Sequence, residues 1–336
     1  MRPPGRPKGE YRNAQHEGTP VTTALRSHTF TALQPGTRLI VLGAVHGNET
    51  CGTRAIERLL AELDTGALRI VRGQLTVVPI TNPLAYQRGQ RAGDRNLNRN
   101  LRPNAHPQDY EDHIANALCP LLQQHEVLLD LHSFHTAGQP FALIGPANNS
   151  GALEPFAQAA QEEALARRLG PRRIVEGWLE AYANGVKNRQ LRRQGADADA
   201  RYGVGTTEYM RSQGGCAITL ECGQHTEPQA PEVAYRAIRH TLAQLGLVDE
   251  PSPAARTDIQ LLRLAEVTDR LDAGDRLARE WASFDPLRQG ELIGTRADGT
   301  PVQASSDGYI VFPHPSAVLG SEWFYFAIDS RRMLSA

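Results

Sequence analysis

Short uninterrupted apolar runs alternate with stretches of helical periodicity along this chain. Leu39-Ile40-Val41-Leu42-Gly43-Ala44-Val45 has no polar face, the pattern of a strand covered on both sides, and it ends in His46-Gly47-Asn48-Glu49. Ile56, Leu59, Leu60 and Leu63 then fall at i, i+3, i+4 and i+7, which predicts a helix stopped by Asp64-Thr65-Gly66. Gln74 to Ile80 reads as a second strand, closed by Thr81-Asn82-Pro83 because proline cannot continue a ladder. Tyr110, Ile114, Ala117, Leu118 and Leu121 mark an amphipathic helix before a third strand, Val127 to Leu131, which ends in His132-Ser133.

Further on, the spacing predicts a helix over Leu153 to Leu169, stopped by Gly170-Pro171, and a long basic loop from Lys187 to Tyr202. Ala217-Ile218-Thr219-Leu220 is a strand ending in Glu221, and Val233, Ala237, Ile238, Leu242 and Leu245 share one face of a helix with Gly246 past its end. Strands alternating with helices over Arg38 to Val248 predict an α/β architecture with a mixed, mostly parallel sheet flanked by helices. Pro251-Ser252-Pro253-Ala254-Ala255-Arg256 reads as a linker. Beyond it, regularly spaced glycines separate runs such as Tyr309-Ile310-Val311-Phe312 and Trp323-Phe324-Tyr325-Phe326, predicting a small β-rich domain. The expected organisation is a flexible leader over 1–18, a catalytic domain over 19–250 and a small β-rich domain over 257–336.

Composition narrows the partners. Among 336 residues, 36 Lys and Arg nearly cancel 37 Asp and Glu, so no global field draws the chain to nucleic acid or to anionic lipid. The longest apolar runs are far too short to span a bilayer, and the first residues lack the apolar centre of a secretory signal, so a cytoplasmic protein is expected. Cys51, Cys119, Cys216 and Cys222 form neither a zinc knuckle nor a disulfide framework, and they read as small buried hydrophobes in a reducing compartment. The expected partner is a small molecule, with self-association left open.

Three strands end in a potential ligand or acid-base group: His46 with Glu49, then His132, then Glu221. The carboxyl ends of parallel strands border one crevice, so these residues can converge there. Two imidazoles and one carboxylate are the ligand type of hydrolytic zinc, which activates a water and polarises a carbonyl. Asp130, two residues before His132, lies on the same face of its strand and suits an outer-shell contact. His113, His125, His135, His225 and His240 fit surface or polar-loop positions. The Arg- and Asn-rich stretch from Gln90 to Arg99 suits carboxylate recognition, although alone it reads as a solvated loop.

Taken together, Gly43-Ala44-Val45-His46-Gly47-Asn48-Glu49-Thr50, Asn82-Pro83, Asn96-Leu97-Asn98-Arg99, Asp130-Leu131-His132-Ser133 and Thr219-Leu220-Glu221-Cys222-Gly223 resemble, in order and approximate spacing, the succinylglutamate desuccinylase/aspartoacylase family. The resemblance implies a zinc carboxypeptidase-like fold and one zinc per chain held by His46, Glu49 and His132. It further implies Glu221 as the general base, Asn98 and Arg99 on the substrate's α-carboxylate, and Arg91 polarising the scissile carbonyl, with Arg88 a competitor for that last role. Two departures stand out: Asn96 replaces the family's usual Asp, and Asn100-Leu101 follows the motif where an aromatic is usual. The family's second substrate arginine and its tyrosine have no clear counterpart between Pro171 and Gln213.

The expected activity is hydrolysis of an N-acyl amino acid, with an N-succinyl- or N-acetyl-type acidic substrate favoured by Arg91, Arg99 and an arginine of the Lys187 to Arg193 stretch. A metallocarboxypeptidase acting on peptides and a zinc-dependent binding protein without turnover are the alternatives. A nonheme iron oxygenase uses similar ligands but more often sits in a β-sandwich.

Overall fold

The computed structural model describes residues 24–191 and 199–334, so the expected leader over 1–18 and the 192–198 part of the basic loop lie outside the described residues. The strands are β1 (His28–Thr31), β2 (Arg38–Leu42), β3 (Gln74–Val78), β4 (Val127–Phe134), β5 (Phe141–Leu143), β6 (Arg173–Glu176), β7 (Cys216–Gln224), β8 (Gln260–Asp269), β9 (Arg276–Leu277), β10 (Pro286–Leu287), β11 (Leu292–Thr295), β12 (Pro301–Gln303), β13 (Gly308–Val311) and β14 (Glu322–Asp329). The helices are α1 (Cys51–Asp64), α2 (Pro83–Arg88), α3 (Tyr110–Gln123), α4 (Ala159–Ala166), α5 (Trp178–Leu191), α6 (Thr206–Ser212) and α7 (Ala230–Gln244).

One mixed sheet runs in the order β1-β3-β2-β4-β7-β5-β6-β8-β14-β13-β10. Its centre, β3-β2-β4-β7, is parallel, as is β5-β6-β8, and the flanks are antiparallel. A separate small antiparallel sheet holds β12-β11-β9. Alternate residues of β2 serve opposite faces: Leu39 and Val41 pack with α1 and α7, whereas Ile40 and Leu42 pack with α3. Burial on both faces explains why this strand reads as an unbroken apolar run.

The strands and helices expected between residues 39 and 131 are present, and the differences around and beyond them have local causes. Asn82-Pro83 ends β3 but also starts α2, because the Asn82 side chain caps the Ala85 N–H at 3.2 Å and proline suits the first helical turn. The helix expected over 153–169 is reduced to α4, since Phe156 is drawn into a bridge with Asn149. The stretch expected to be loop from residue 187 begins inside α5, whose buried stripe includes Leu179, Tyr182, Val186 and Arg189. A buried arginine in that stripe disguised the helical period.

Residues 251–256 have no regular structure, as a linker should not. The strands that follow them nonetheless continue the main sheet, with β8 parallel to β6 and β14 paired along β8. Apolar residues from both sides of residues 251–256, among them Phe141, Val175, Leu262, Leu264 and Tyr325, form one buried cluster.

Candidate active site

The loop after β2 is held tightly enough to fix two side chains. Gly43 N–H donates to Val78 O at 2.9 Å, Thr81 Oγ1 donates to Gly43 O at 2.9 Å, and Ala44 adopts a φ of 46°. Glu49 N–H closes a turn onto His46 O at 3.1 Å. A Cβ on Gly47 would stand 2.0 Å from the Ala85 carbonyl carbon, so only glycine lets this turn pass α2. His132 and Glu221 reach the same place from within β4 and β7 rather than beyond their ends. They are register partners in a parallel pair and therefore share a face of the sheet.

His46, Glu49 and His132 converge there, each contributing a donor atom within 4.8 Å of the others, and all three are buried. His46 Nδ1 and His132 Nδ1 both lie 2.9 Å from Glu49, on Oε1 and Oε2 respectively. The other nitrogen of each ring faces an oxygen: His46 Nε2 donates to Asn96 Oδ1 at 3.0 Å, and His132 Nε2 lies 2.9 Å from Asp130 Oδ2. Such outer oxygens fix a ring's orientation and leave its opposite nitrogen directed inward. Asn96 thus retains the acceptor that the usual aspartate would offer, and it also accepts the Asn98 N–H at 2.9 Å. Asp130, behind the His132 ring, is further held by the Thr206 hydroxyl.

The donor set fits a metal ion. Two imidazoles and a carboxylate face one point, with the Nδ1 of each ring turned to the Glu49 carboxylate at 2.9 Å. Burial and the nearby Arg91 charge hold His46 down at about 4, so its ring is neutral, as a ligand must be. Burial pushes Glu49 up, yet the two imidazoles outweigh it and keep the carboxylate well below its usual range. His132 is shifted the other way: burial disfavours its charge, but the Asp130 and Glu49 carboxylates hold it well above the usual imidazole value.

Glu221 Oε2 is buried and without a hydrogen-bond partner among the described residues, and burial together with the Glu49 charge raises its carboxyl to about 8. Arg91 is half exposed and donates to Glu49 Oε1 at 2.8 Å, at the edge of the same cavity. Arg88 donates to Gly93 O and faces Asp94, and it does not line the cavity. Asn98 Oδ1 accepts the Thr206 N–H at 2.9 Å. Arg99 is buried, stacked over Trp178 and Tyr182 with its guanidinium carbon 5.0 and 5.7 Å from the two ring centroids, and its NH2 lies 3.3 Å from Glu322 Oε1.

His46, His132, Glu221, Arg91, Asn98 and Arg99 border a single cavity of about 450 Å³, a size suited to a small metabolite. Several of its walls were not legible in the sequence. Tyr182, Arg189 and Tyr202 come from the segment that offered no alignment, and Phe312, His314, Glu322 and Tyr325 come from beyond the linker. His135 and His225, expected on the surface or in polar loops, also line it, the latter through a 2.9 Å bond between its Nδ1 and Ser133 Oγ. The arginine expected from the 187–193 stretch is present as Arg189, but both Asp269 oxygens accept from it, at 2.6 and 2.8 Å. With Arg99 facing Glu322, two of the charges that suggested an acidic substrate are already countered.

A mixed α/β sheet carries a buried His-Glu-His cluster that could hold a metal ion, with a carboxylate beside it. Residues 35–243 match the model of the succinylglutamate desuccinylase/aspartoacylase catalytic domain, and the chain belongs to this family of deacylases. Comparison with curated protein sequences found no significant match. Among solved structures, the fold is similar to a succinylglutamate desuccinylase/aspartoacylase from Rhodobacter sphaeroides, with 17% identity, a TM-score of 0.67 and coverage of 90% of this chain and 89% of that one. It is equally similar to succinylglutamate desuccinylase from Vibrio cholerae, with 17% identity, a TM-score of 0.67 and 90% of each chain covered. The product-bound ectoine utilization protein EutE (DoeB) from Ruegeria pomeroyi shares 20% identity with a TM-score of 0.67, over 90% of this chain and 88% of that one. Among the described residues no helix is long and apolar enough to cross a membrane.

Proposed function

We propose that the chain is a zinc-dependent deacylase that hydrolyses the amide of an N-acyl amino acid to a carboxylate and a free amino acid. The observation that carries this reading is the His46, Glu49 and His132 cluster set beside Glu221, whose Oε2 has no hydrogen-bond partner among the described residues, at a cavity of metabolite size. Zinc held by those three ligands would activate the attacking water and polarise the scissile carbonyl. Glu221, whose carboxyl the charge of a bound zinc would bring down from about 8, takes a proton from the attacking water and passes it to the leaving nitrogen, the work of a carboxylate beside the ligand set rather than in it. Arg91, exposed enough to reach a bound substrate, donates to the oxygen on which charge develops. Asn98 and Arg99 take the substrate's α-carboxylate, for which the guanidinium fork is shaped.

Residues 19–250 supply this chemistry in the proposal, and residues between 312 and 325 add to the cavity wall. Phe312, Glu322 and Tyr325 face the cavity from that wall, which favours single amino-acid conjugates over peptides. The four cysteines, of which all are free and buried, suit a cytoplasmic setting. The test is incubation of the zinc-loaded protein with a panel of N-acetyl, N-succinyl and N-formyl amino acids and short peptides, with detection of free amine. Release of amine from the conjugates and not from the peptides is the expected result. Cleavage confined to peptides would replace this reading with a carboxypeptidase, and binding without turnover would replace it with a binding protein.

A further inference from the structure

The arginines that line the cavity are not equally available. Arg211 is enclosed by carboxylates, its Nε donating to Glu162 at 2.8 Å and its NH1 to Glu154 and Glu208 at 2.8 and 3.2 Å. Arg189 is matched by both oxygens of Asp269. Arg99 has the loosest pairing, a single 3.3 Å contact with Glu322, while its position is held independently by Trp178, Tyr182 and a 2.8 Å bond from NH1 to Asn98 O. Of these three pairs, Arg99 with Glu322 is the one a ligand can part without dismantling the wall.

Parting it has a charge consequence. Once a substrate carboxylate takes Arg99, the Glu322 side chain, only 23% exposed, loses the arginine it directly faces and keeps only the weaker pull of Arg189 and Arg91. A covered carboxylate in that state is less well compensated, and a cation on the ligand would restore the balance. Beside it, Tyr325 is buried and its hydroxyl has no hydrogen-bond partner among the described residues, although its ring packs on Trp178 at 5.3 Å. A carboxylate and an orphaned hydroxyl bordering the same cavity form an acceptor site for an N–H donor. A second substrate carboxylate would instead enter a space where each lining arginine already faces an acid.

We infer that the amino-acid part of the substrate carries a side-chain ammonium group received by Glu322 and Tyr325, and that Glu322 turns the enzyme away from diacid substrates. This rests on the deacylase reading above and names its substrate class: N-acyl amino acids with one free carboxylate and one free amine.

The test compares Nα-acetylornithine, Nα-acetylglutamate and the neutral Nα-acetylnorvaline on the parent and on Glu322→Gln, in the full-length zinc-loaded protein. The parent is expected to favour the amine over the acid by about 10-fold or more in kcat/KM, the scale of one charge-assisted hydrogen bond. Glu322→Gln is expected to bring the amine-bearing substrate down to the level of the neutral one while leaving the neutral one within a few-fold. A parallel arm measures the shift in Tm caused by free ornithine and by free glutamate on metal-free protein, where ornithine should stabilise the parent and not the variant. Preference of the parent for the diacid overturns the inference while leaving the deacylase reading intact. An equal loss for all three substrates in Glu322→Gln overturns it too, because Glu322 would then only orient Arg99. If no conjugate is cleaved, the deacylase reading fails, and the thermal arm still decides whether Glu322 receives an amine.

Discussion

At the scale of single residues, the site is a set of buried polar groups whose unmet valences point at one place. His46 Nδ1 is turned to the buried Glu49 carboxylate at 2.9 Å, Glu221 Oε2 lacks a hydrogen-bond partner among the described residues, and burying such groups is costly. A bound metal and a relayed proton account for both, and they make separable predictions. His46→Ala is expected to lose most of the metal found by elemental analysis in parent protein purified without chelator, and full retention would place the ion elsewhere. Glu221→Gln keeps the shape and removes the basicity, so zinc content and Tm should hold while kcat falls by roughly 10² to 10⁴, the usual share of general acid-base catalysis. Near-normal turnover with full zinc would remove Glu221 from the chemistry. The ligand candidates were legible because each sits at a motif where an apolar run meets a polar residue. Glu322 was not, since one acid at the start of an aromatic strand carries no local signal, and its importance arises only from its 3.3 Å contact with an arginine far away in sequence.

At the scale of elements, legibility followed the strength of the periodic pattern. The central strands β2, β4 and β7 and helices α1, α3 and α7 have long apolar runs or stripes and stand close to where the pattern puts them. Short β5 and β6 have too few residues to show a period, and α6 is masked because Glu208 and Arg211 are buried by pairing rather than by apolarity. That pairing has its own pH dependence. Burial raises the Glu154 carboxyl from 4.5 to about 7 against the pull of Arg211, with Glu208 and Glu162 adding to the rise. A folded-state value above the unfolded one means that the folded protein binds the extra proton. The contribution to stability is therefore complete below about pH 4.5 and is lost as pH rises through 7. The Tm of Glu154→Gln minus that of the parent should consequently be more positive at pH 8 than at pH 5. A difference that is flat, or of opposite sign, would show that Arg211 dominates burial at this site.

At the scale of the whole molecule, sheet order is what a sequence conceals most, because strand pairing joins residues that are distant along the chain. The composition change at residues 251–256 is real, yet β8 lies parallel to β6 and hydrogen bonds across that boundary, and β14 extends the same sheet. The physical continuity has two parts. Leu262, Leu264, Val311 and Tyr325 bury their side chains against Phe134, Phe141 and Val175, which lie before the boundary. Arg332 adds a polar tie, with its guanidinium 2.7 Å from Glu176 and 2.5 Å from Glu163. Ending the chain at residue 250 would uncover the β6 edge and one side of that apolar cluster, and each large apolar side chain so exposed forfeits about 1.5–3 kcal/mol of burial. A handful of such losses equals the whole stability of an ordinary domain, about 5–15 kcal/mol. An unpaired, apolar β6 edge is also a template for aggregation. The full chain should therefore unfold in one calorimetric transition, whereas a chain ending at residue 250 should be insoluble or lack a cooperative transition. A soluble truncated protein with a Tm near that of the parent would show that residues 257–336 are a separately folded cover, and the cavity wall bearing Glu322 would then be free to move as a unit.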